Sequence, residues 1–356
     1  MKTKKQISDF CKKLADWGLY DNNRTMPWKG IKDPYKIWLS EIILQQTKVE
    51  QGLDYYMKFV KNYPTIDKLA AAKDDEVFKM WEGLGYYSRC RNLLVTARII
   101  SNEFAGVFPK KYDEIITLKG VGPYTAAAIA SFAYNLPHAV VDGNVYRVLA
   151  RYFGIHTAID SNIGKIVFNK LADDLLDKEN PATYNQAIMD FGATICKPKL
   201  PLCTTCVFNK KCAAYKNNEV NILPKKETKL IKKKRFFYYI IAKFDNKIYV
   251  RKRTEKDIWQ NLWEFINVEL EQKIEAEDFI KSKLFSAQIN KKATVKNYSP
   301  FYKQQLTHQT IEGCFIVVDL PSPLANNNYE LVSIAAMKKL AFPRFITNYF
   351  EKNPKI

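Results

Sequence analysis

The 356-residue sequence contains no uninterrupted apolar run of about 18 residues, so no membrane-spanning helix is expected. No apolar core follows the start Met1-Lys2-Thr3-Lys4-Lys5-Gln6, which leads into a charged amphipathic segment; a secretory signal is not expected either. Those two absences set the expected location as cytoplasmic, prokaryotic and nucleoid-associated. Acidic residues are in deficit, 37 Asp and Glu against 56 Lys and Arg, for a net charge of +19. Such a surface attracts polyanions, nucleic acid before anionic membrane, although a merely basic surface is the plainer alternative. The seven cysteines are an odd number, which argues against a disulfide framework. There is no internal repeat and no low-complexity tract beyond one lysine run. Hydrophobic residues at 47% and charged residues at 26% exclude a mostly disordered chain. At about 150 residues per domain, the length predicts two domains.

Residues 6 to 215 read as mainly helical. Ile7, Phe10, Cys11 and Leu14 share one helical face. Further helices are expected at Ile37–Thr47, Val77–Glu82, Leu93–Phe104, the Ala-rich Tyr124–Tyr134 and Val145–Phe153. Residues 216–235, with Lys225-Lys226 and Lys232-Lys233-Lys234-Arg235, read as an exposed basic linker, or simply a solvated tether. Beyond it the pattern turns to α+β. Phe236–Phe244, Asp245-Asn246 and Lys247–Arg253 read as a β-hairpin. Ala293–Val295 and Thr310–Val318 read as extended. Ile274–Phe285 and Ser333–Phe350 read as helical, with Pro343 as an interruption.

Two motifs carry chemistry. Leu118-Lys119-Gly120-Val121-Gly122-Pro123-Tyr124-Thr125-Ala126 places two glycines, free to adopt positive φ, before a helix start whose N–H groups and dipole suit a phosphate. The alternative is an ordinary tight turn. The string matches a helix-hairpin-helix element, a sequence-independent binder of the DNA backbone. Cys196, Cys203, Cys206 and Cys212 give C-x6-C-x2-C-x5-C, enough thiolates for one soft metal centre. Four-cysteine zinc sites usually pair two C-x2-C knuckles, and only Cys203 and Cys206 fit that; a [4Fe–4S] cluster is the favoured reading and zinc the alternative. Lys197, Lys199, Lys210 and Lys211 surround the loop. Cys11, Cys90 and Cys314 read as packing residues.

Hairpin and cysteine loop, in this order, resemble the endonuclease III superfamily of DNA glycosylases, and within it the MutY-type adenine DNA glycosylases. The resemblance covers nearly the whole chain. It is carried also by Pro27-Trp28, Ser40-Glu41-Ile42-Ile43-Leu44-Gln45-Gln46-Thr47, Trp81-Glu82-Gly83-Leu84-Gly85-Tyr86-Tyr87-Ser88-Arg89 and Val141-Asp142-Gly143-Asn144-Val145. It implies a helical helix-hairpin-helix glycosylase domain with an iron–sulfur loop at 1–215 and a smaller α+β Nudix-like domain at 236–356. The implied activity is excision of adenine opposite 8-oxoguanine, or guanine, in double-stranded DNA. Taken alone, Glu41 reads as a helix's wet face and Asp142 as a turn or N-cap residue. The resemblance makes Glu41 the general acid, whose apolar neighbours Ile37, Trp38, Ile42 and Leu44 would favour its protonated form. It makes Asp142 the carboxylate that stabilises the cationic sugar, supported by Tyr124 and Asn144. Cleaving an N-glycosidic bond needs such a pair, one group to protonate the base and one to face the oxocarbenium-like centre.

Glycosylases with built-in strand cleavage carry a Schiff-base lysine where this chain has Tyr124, so a monofunctional enzyme leaving an abasic site is implied. Some relatives also carry a lysine where this chain has Tyr146. The adenine must be flipped from the duplex. Gln46 and Tyr86, flanked by Thr47 and Leu84, match residues that wedge into the base stack; core packing is the alternative for Tyr86-Tyr87. Trp28 matches a wall of the adenine pocket. Trp259-Gln260-Asn261-Leu262-Trp263-Glu264-Phe265 carries the Nudix resemblance, but the catalytic Arg-Glu and Glu-Glu cluster is missing after it, so no nucleotide hydrolysis is expected. Leu306-Thr307-His308 stands where relatives have a Phe-Ser-His loop on 8-oxoguanine. Thr307 keeps a hydroxyl, and Leu306 loses an aromatic. Two other functions remain open here: a glycosylase-lyase for oxidised pyrimidines, and a catalytically silent iron–sulfur DNA-binding protein. A monomer suffices for one lesion.

Overall fold

The computed structural model describes residues 4–227, 232–289, 292–325 and 328–354. The chain divides into two compact units, Met1–Ala71 with Asn92–Thr228, and Ala72–Arg91 with Lys229–Ile356. Among the described residues no helix is long and apolar enough to cross a membrane.

The first unit is helical. Phe10, Leu14 and Trp17 of the Lys4–Tyr20 helix enter a core with Val148, Leu149, Phe168, Phe191 and Phe208. The expected helix at 37–47 instead runs Pro34–Leu44. Asp33 starts it, its carboxylate accepting from the Tyr35 and Lys36 N–H groups, and Pro34 presets the first turn. It ends early because Gln45 turns out of helical geometry at ψ 115° and Gln46 follows at φ 56°, so Gln46 and Thr47 lie past the helix. This helix packs on Pro123–Tyr134, where Ala126, Ala127 and Ala128 keep the contact surface small. The Gly143–Phe153 helix begins at its N-cap Asp142 and ends at Gly154, φ 63°.

The second unit is an eight-stranded mixed sheet with helices on both faces. Its strands are β1 Lys233–Phe244, β2 Lys247–Lys252, β3 Trp263–Glu264, β4 Ile266–Leu270, β5 Thr294–Tyr298, β6 Tyr302–Gln305, β7 Gln309–Asp319 and β8 Glu330–Ser333. The expected hairpin is β1–β2, with both turn residues Asp245 and Asn246 at positive φ. β1 also pairs in parallel with β7, from Lys233 opposite Gln309 to Lys243 opposite Asp319. One face carries Tyr238, Ile240, Cys314 and Ile316 under Phe279 and Phe285. The other stacks Tyr239 and Phe315 against Phe345 and Tyr349. Burial on both faces explains why Phe237–Ala242 is continuously apolar or aromatic rather than alternating.

Several sequence expectations shift. Ile274–Phe285 is two short helices, Ala276–Lys281 and Lys283–Ser286, split by Ser282, which N-caps the second. Ser333–Phe350 is not one helix: Ser333 closes β8 and caps Ile334–Met337, and Pro343 precedes Arg344–Lys352. The segment read as a linker at 216–235 is largely anchored. Leu223 is buried in the first core, the Lys225 carbonyl accepts from Ile159 N–H, and Lys233–Arg235 already belong to β1. Residues 228–231 lie outside the described residues. The 72–91 segment, expected within the helical domain, groups with the sheet. Glu82 accepts from Phe342 N–H at 2.7 Å, Lys79 donates to the Leu340 carbonyl at 2.9 Å, and Arg91 donates to the Gln260 carbonyl at 3.1 Å.

Candidate active site

A cavity of about 450 Å³ in the first unit gathers Glu41, Tyr124, Asp142, Asn144, Trp28 and Thr47. Ligand sites run from roughly 300 to 1,000 Å³, so it can hold a nucleobase with part of its sugar. Glu41 comes from the middle of the Pro34–Leu44 helix and is 8% exposed. Burial pushes its pKa up to about 7; the Tyr124 hydrogen bond pulls the other way, and the Asp142 charge adds to the rise. The Tyr124 hydroxyl donates to Glu41 Oε2 at 2.6 Å. Burial, then the Glu41 charge, holds the Tyr124 pKa well above its ordinary value, so the phenol keeps its proton. This bond fixes the orientation of the Glu41 carboxyl group in the cavity.

Asp142 is an N-cap and also lines the cavity. Its Oδ1 accepts from Val145 N–H at 2.8 Å. Its Oδ2 accepts from Asn144 Nδ2 at 2.6 Å. Burial raises its pKa, and the Val145 and Asn144 donors oppose that rise. Arg147 Nη2 donates to Asn144 Oδ1 at 2.8 Å, which fixes the amide with its NH2 toward Asp142. Arg147, missed from sequence, lies three residues beyond Asn144 on the same helix, and that spacing was the available signal. It also donates to the carbonyls of Gly192 at 2.7 Å and Cys196 at 2.6 Å.

One cavity wall is the non-helical segment holding Asn22, Arg24, Trp28 and Lys29. It is fastened by Asp190, whose side chain is fully buried. Asp190 accepts from Asn22 Nδ2 at 2.9 Å and pairs with Arg24 at 2.7 Å and Lys29 at 3.0 Å. Burial alone would raise the Asp190 pKa, but these donors outweigh it and hold it below the ordinary value. No local motif signals this clamp, because its partners lie more than 160 residues apart.

The hairpin divides its glycines. Gly120 has φ 78°, and a Cβ there would stand 2.7 Å from Asn92 Cβ. Gly122, expected also to need positive φ, has φ −100°; it is the N-cap of the Pro123–Tyr134 helix with open space where a Cβ would go. Gln46 is exposed, past the helix end.

Tyr86, Leu84, Thr307 and His308 belong to the second unit. Tyr86, 39% exposed at φ 48°, hydrogen-bonds the Thr307 hydroxyl; both, with His308, line a cavity of about 400 Å³. Tyr87 is core, its hydroxyl accepting from Gly83 N–H. Leu84 is 5% exposed and is packing, not surface. Glu264 is fully buried and paired with Arg251 and Arg253.

Cys196, Cys203, Cys206 and Cys212 line one recess in the first unit with Ile195 and Leu202. Burial pushes Cys206 up to about 11, and the charges of the other three cysteines add to it, so the four sulfurs are electrostatic neighbours. Arg151 Nη1 donates to Cys196 Sγ at 3.5 Å, and Phe208 N–H donates to Cys206 Sγ at 3.4 Å. Among the described residues no set of three or more Cys, His, Asp or Glu is gathered as a ready metal-ion site. The thiol recess with its N–H donors nonetheless fits a bound cationic centre, which would reverse the upward pKa shifts. Cys90 and Cys314 are buried, consistent with packing.

Comparisons with known proteins give the family. The description "HhH-GPD superfamily base excision DNA repair protein" matches residues 39–170, and a NUDIX domain matches 237–352. A solved thermostable thymine-DNA glycosylase is 31% identical with a TM-score of 0.56, covering 60% of this chain and 98% of that one. Endonuclease III in a non-covalent DNA complex shares the fold, at 22% identity and a TM-score of 0.53, covering 61% and 99%. The adenine DNA glycosylase of Buchnera aphidicola subsp. Baizongia pistaciae (strain Bp) is 36% identical over 326 residues, 90% of this chain and 89% of that protein. The Mus musculus protein of the same name is 39% identical over 219 residues, 59% and 42%. The chain belongs to the adenine DNA glycosylase family, hydrolases acting on N-glycosyl bonds in base excision DNA repair.

Proposed function

We propose that this protein excises adenine mispaired with 8-oxoguanine, or with guanine, in duplex DNA and leaves an abasic site without cutting the strand. The observation that carries this is the paired arrangement in one cavity: Glu41, held by Tyr124, and Asp142, held by Asn144 and Val145 N–H. The flipped adenine enters beside Trp28. Glu41 gives its proton to a ring nitrogen of the base, which makes the base a better leaving group. The Asp142 carboxylate faces the sugar as positive charge builds there, and can close on it as a transient covalent bond. Glu41, now ionised, takes a proton from the attacking water. No amine stands at Tyr124 or Tyr146 to form a Schiff base, which supports the monofunctional reading.

Residues 1–215 are the glycosylase domain, with the loop 196–212, and 236–356 the domain that reads the base opposite the adenine, through Thr307 and His308. Gly120, Gly122 and the +19 charge serve the DNA backbone. Gln46 and Tyr86 would wedge into the base stack, and Leu84 supports Tyr86 from the core. Cys196, Cys203, Cys206 and Cys212 would hold a [4Fe–4S] cluster, which ties the loop together when bound. Iron and zinc analysis with visible absorption tests that: a brown, iron-containing protein supports it, a colourless zinc protein overturns it.

The activity test is single-turnover base release from duplexes with adenine opposite 8-oxoguanine, with thymine glycol and undamaged controls, with and without alkali. Adenine release with strand breaks only after alkali is the expected result. Breaks without alkali would revive the lyase reading, and binding without base release would leave a non-enzymatic DNA-binding protein.

A further inference from the structure

Two walls of the cavity of about 400 Å³ in the second unit are Asp257–Trp259 and Gln304–Gln309; Gly85–Ser88, Arg91 and Arg344 complete the lining. Behind them lies Arg235 of β1, whose side chain is 11% exposed. Its guanidinium uses all five N–H donors. Nη1 and Nη2 donate to the two oxygens of Asp257, each at 2.8 Å. Nε and Nη2 donate to the two oxygens of Glu269 at 2.6 and 2.7 Å. Nη1 also donates to Gln309 Oε1 at 3.2 Å. The plane rests on the Phe237 ring, 4.9 Å from its centroid. One residue thus bonds to both walls at once, and a side chain with every donor engaged has little freedom to settle elsewhere.

The wall carrying Asp257 has no strand of its own. It is a loop closed at its base by Arg253 N–H to the Leu262 carbonyl and Asn261 N–H to the Arg253 carbonyl. Arg253 Nη2 adds a second cationic donor to Asp257 at 2.7 Å. The loop tip is held by what Asp257 binds and by Trp259, buried against Phe237 and Phe345. The opposite wall is tied to the same strand by Lys233 N–H donating to the His308 carbonyl, and is closed on itself by Leu306 N–H to the Gln309 carbonyl. Arg235 bridges Gln309 and Asp257 directly, while Arg253 also holds Asp257 and the β1–β7 pairing also holds Gln309.

We propose that Arg235 is a positioning residue that determines specificity: it sets the spacing between the two walls and so the preference for the base opposite the excised adenine. This rests on the reading of the second unit as the one that recognises that base. A lysine in its place would keep the charge but could not span two carboxylates and an amide with a planar fork.

The test is single-turnover base release on adenine opposite 8-oxoguanine and opposite guanine across a range of enzyme concentrations. It compares the natural protein with Arg235→Gln, Arg235→Lys and Asp257→Asn, each with its thermal midpoint. Arg235→Gln is expected to lower the 8-oxoguanine preference by roughly tenfold, the scale of one charge-assisted hydrogen bond. The loss should fall on apparent affinity rather than on maximal rate. Arg235→Lys should not restore it, and Arg235→Gln with Asp257→Asn together should be no worse than either alone. If Arg235→Gln does not fold, Asp257→Asn decides by the same ratio. A lowered thermal midpoint with the preference intact would reduce Arg235 to a structural role and overturn the proposal. A natural protein without any preference would overturn the reading of the second unit and this proposal with it.

Discussion

Glu41 is the group on which pH should act most visibly. In the proposed mechanism its acid form is the working form; with its pKa up to about 7, the chemical step should fall as pH rises through about 7. Asp142 must be ionised and is raised above its ordinary value, so activity should also fall on the acid side; single-turnover rates across pH should trace a bell. Glu41→Gln removes the proton donor and should slow release by about 10²- to 10⁴-fold. The same shift has a stability sign. Folded Glu41 titrates near 7 against an ordinary 4.5, so its contribution is fully present below about 4.5 and is lost as pH rises through about 7. Glu41→Gln should therefore raise the melting temperature relative to the natural protein more at pH 8 than at pH 5. Tyr124→Phe removes the one hydrogen bond that opposes the rise, so the alkaline limb of the bell should move upward. An unmoved limb would mean that another group governs it.

At the scale of elements, the two glycines of the hairpin stand under different constraints. Gly120 at φ 78° faces Asn92, so Gly120→Ala should cost about 1 kcal/mol or more. Gly122 has ordinary φ and free space, and it is an N-cap. Gly122→Asp should leave thermal stability unchanged or improved, because Asp is a good N-cap. It should nonetheless weaken duplex binding by about tenfold at low salt, because it sets a carboxylate where the helix start meets a phosphate. Equal binding would return the hairpin to a plain turn. The start at Asp142-Gly143 was readable as local capping chemistry; the Asp33-Pro34 start offers the same local signal, though the expected helix begins at Ile37. The early end at Leu44 was not, since Gln46 gives no local warning of positive φ. The allegiance of 72–91 was not readable either, because Glu82 and Lys79 find their partners some 260 residues away. In the site, Glu41 and Asp142 were legible through a motif, and Asp190 was not, having only distant partners.

For the whole molecule, the +19 charge predicts counterion release on binding. If about six phosphates are neutralised, affinity for undamaged duplex should fall by about 10³ between about 50 and 200 mM salt. The rate of base release at saturating enzyme should change little, because the reacting groups are buried. A flat salt response would remove the electrostatic account of DNA binding. Asp190 has a consequence for how this enzyme could be re-engineered. The wall bearing Trp28 has no helix of its own and is pinned to the Pro181–Thr194 helix through Asn22, Arg24 and Lys29. It is an exchangeable cassette on a fixed hook. Replacing Met26 and Trp28 while keeping those three donors should alter which base is released at nearly constant melting temperature. Asp190→Asn should instead loosen the wall and lower the melting temperature even with Trp28 in place.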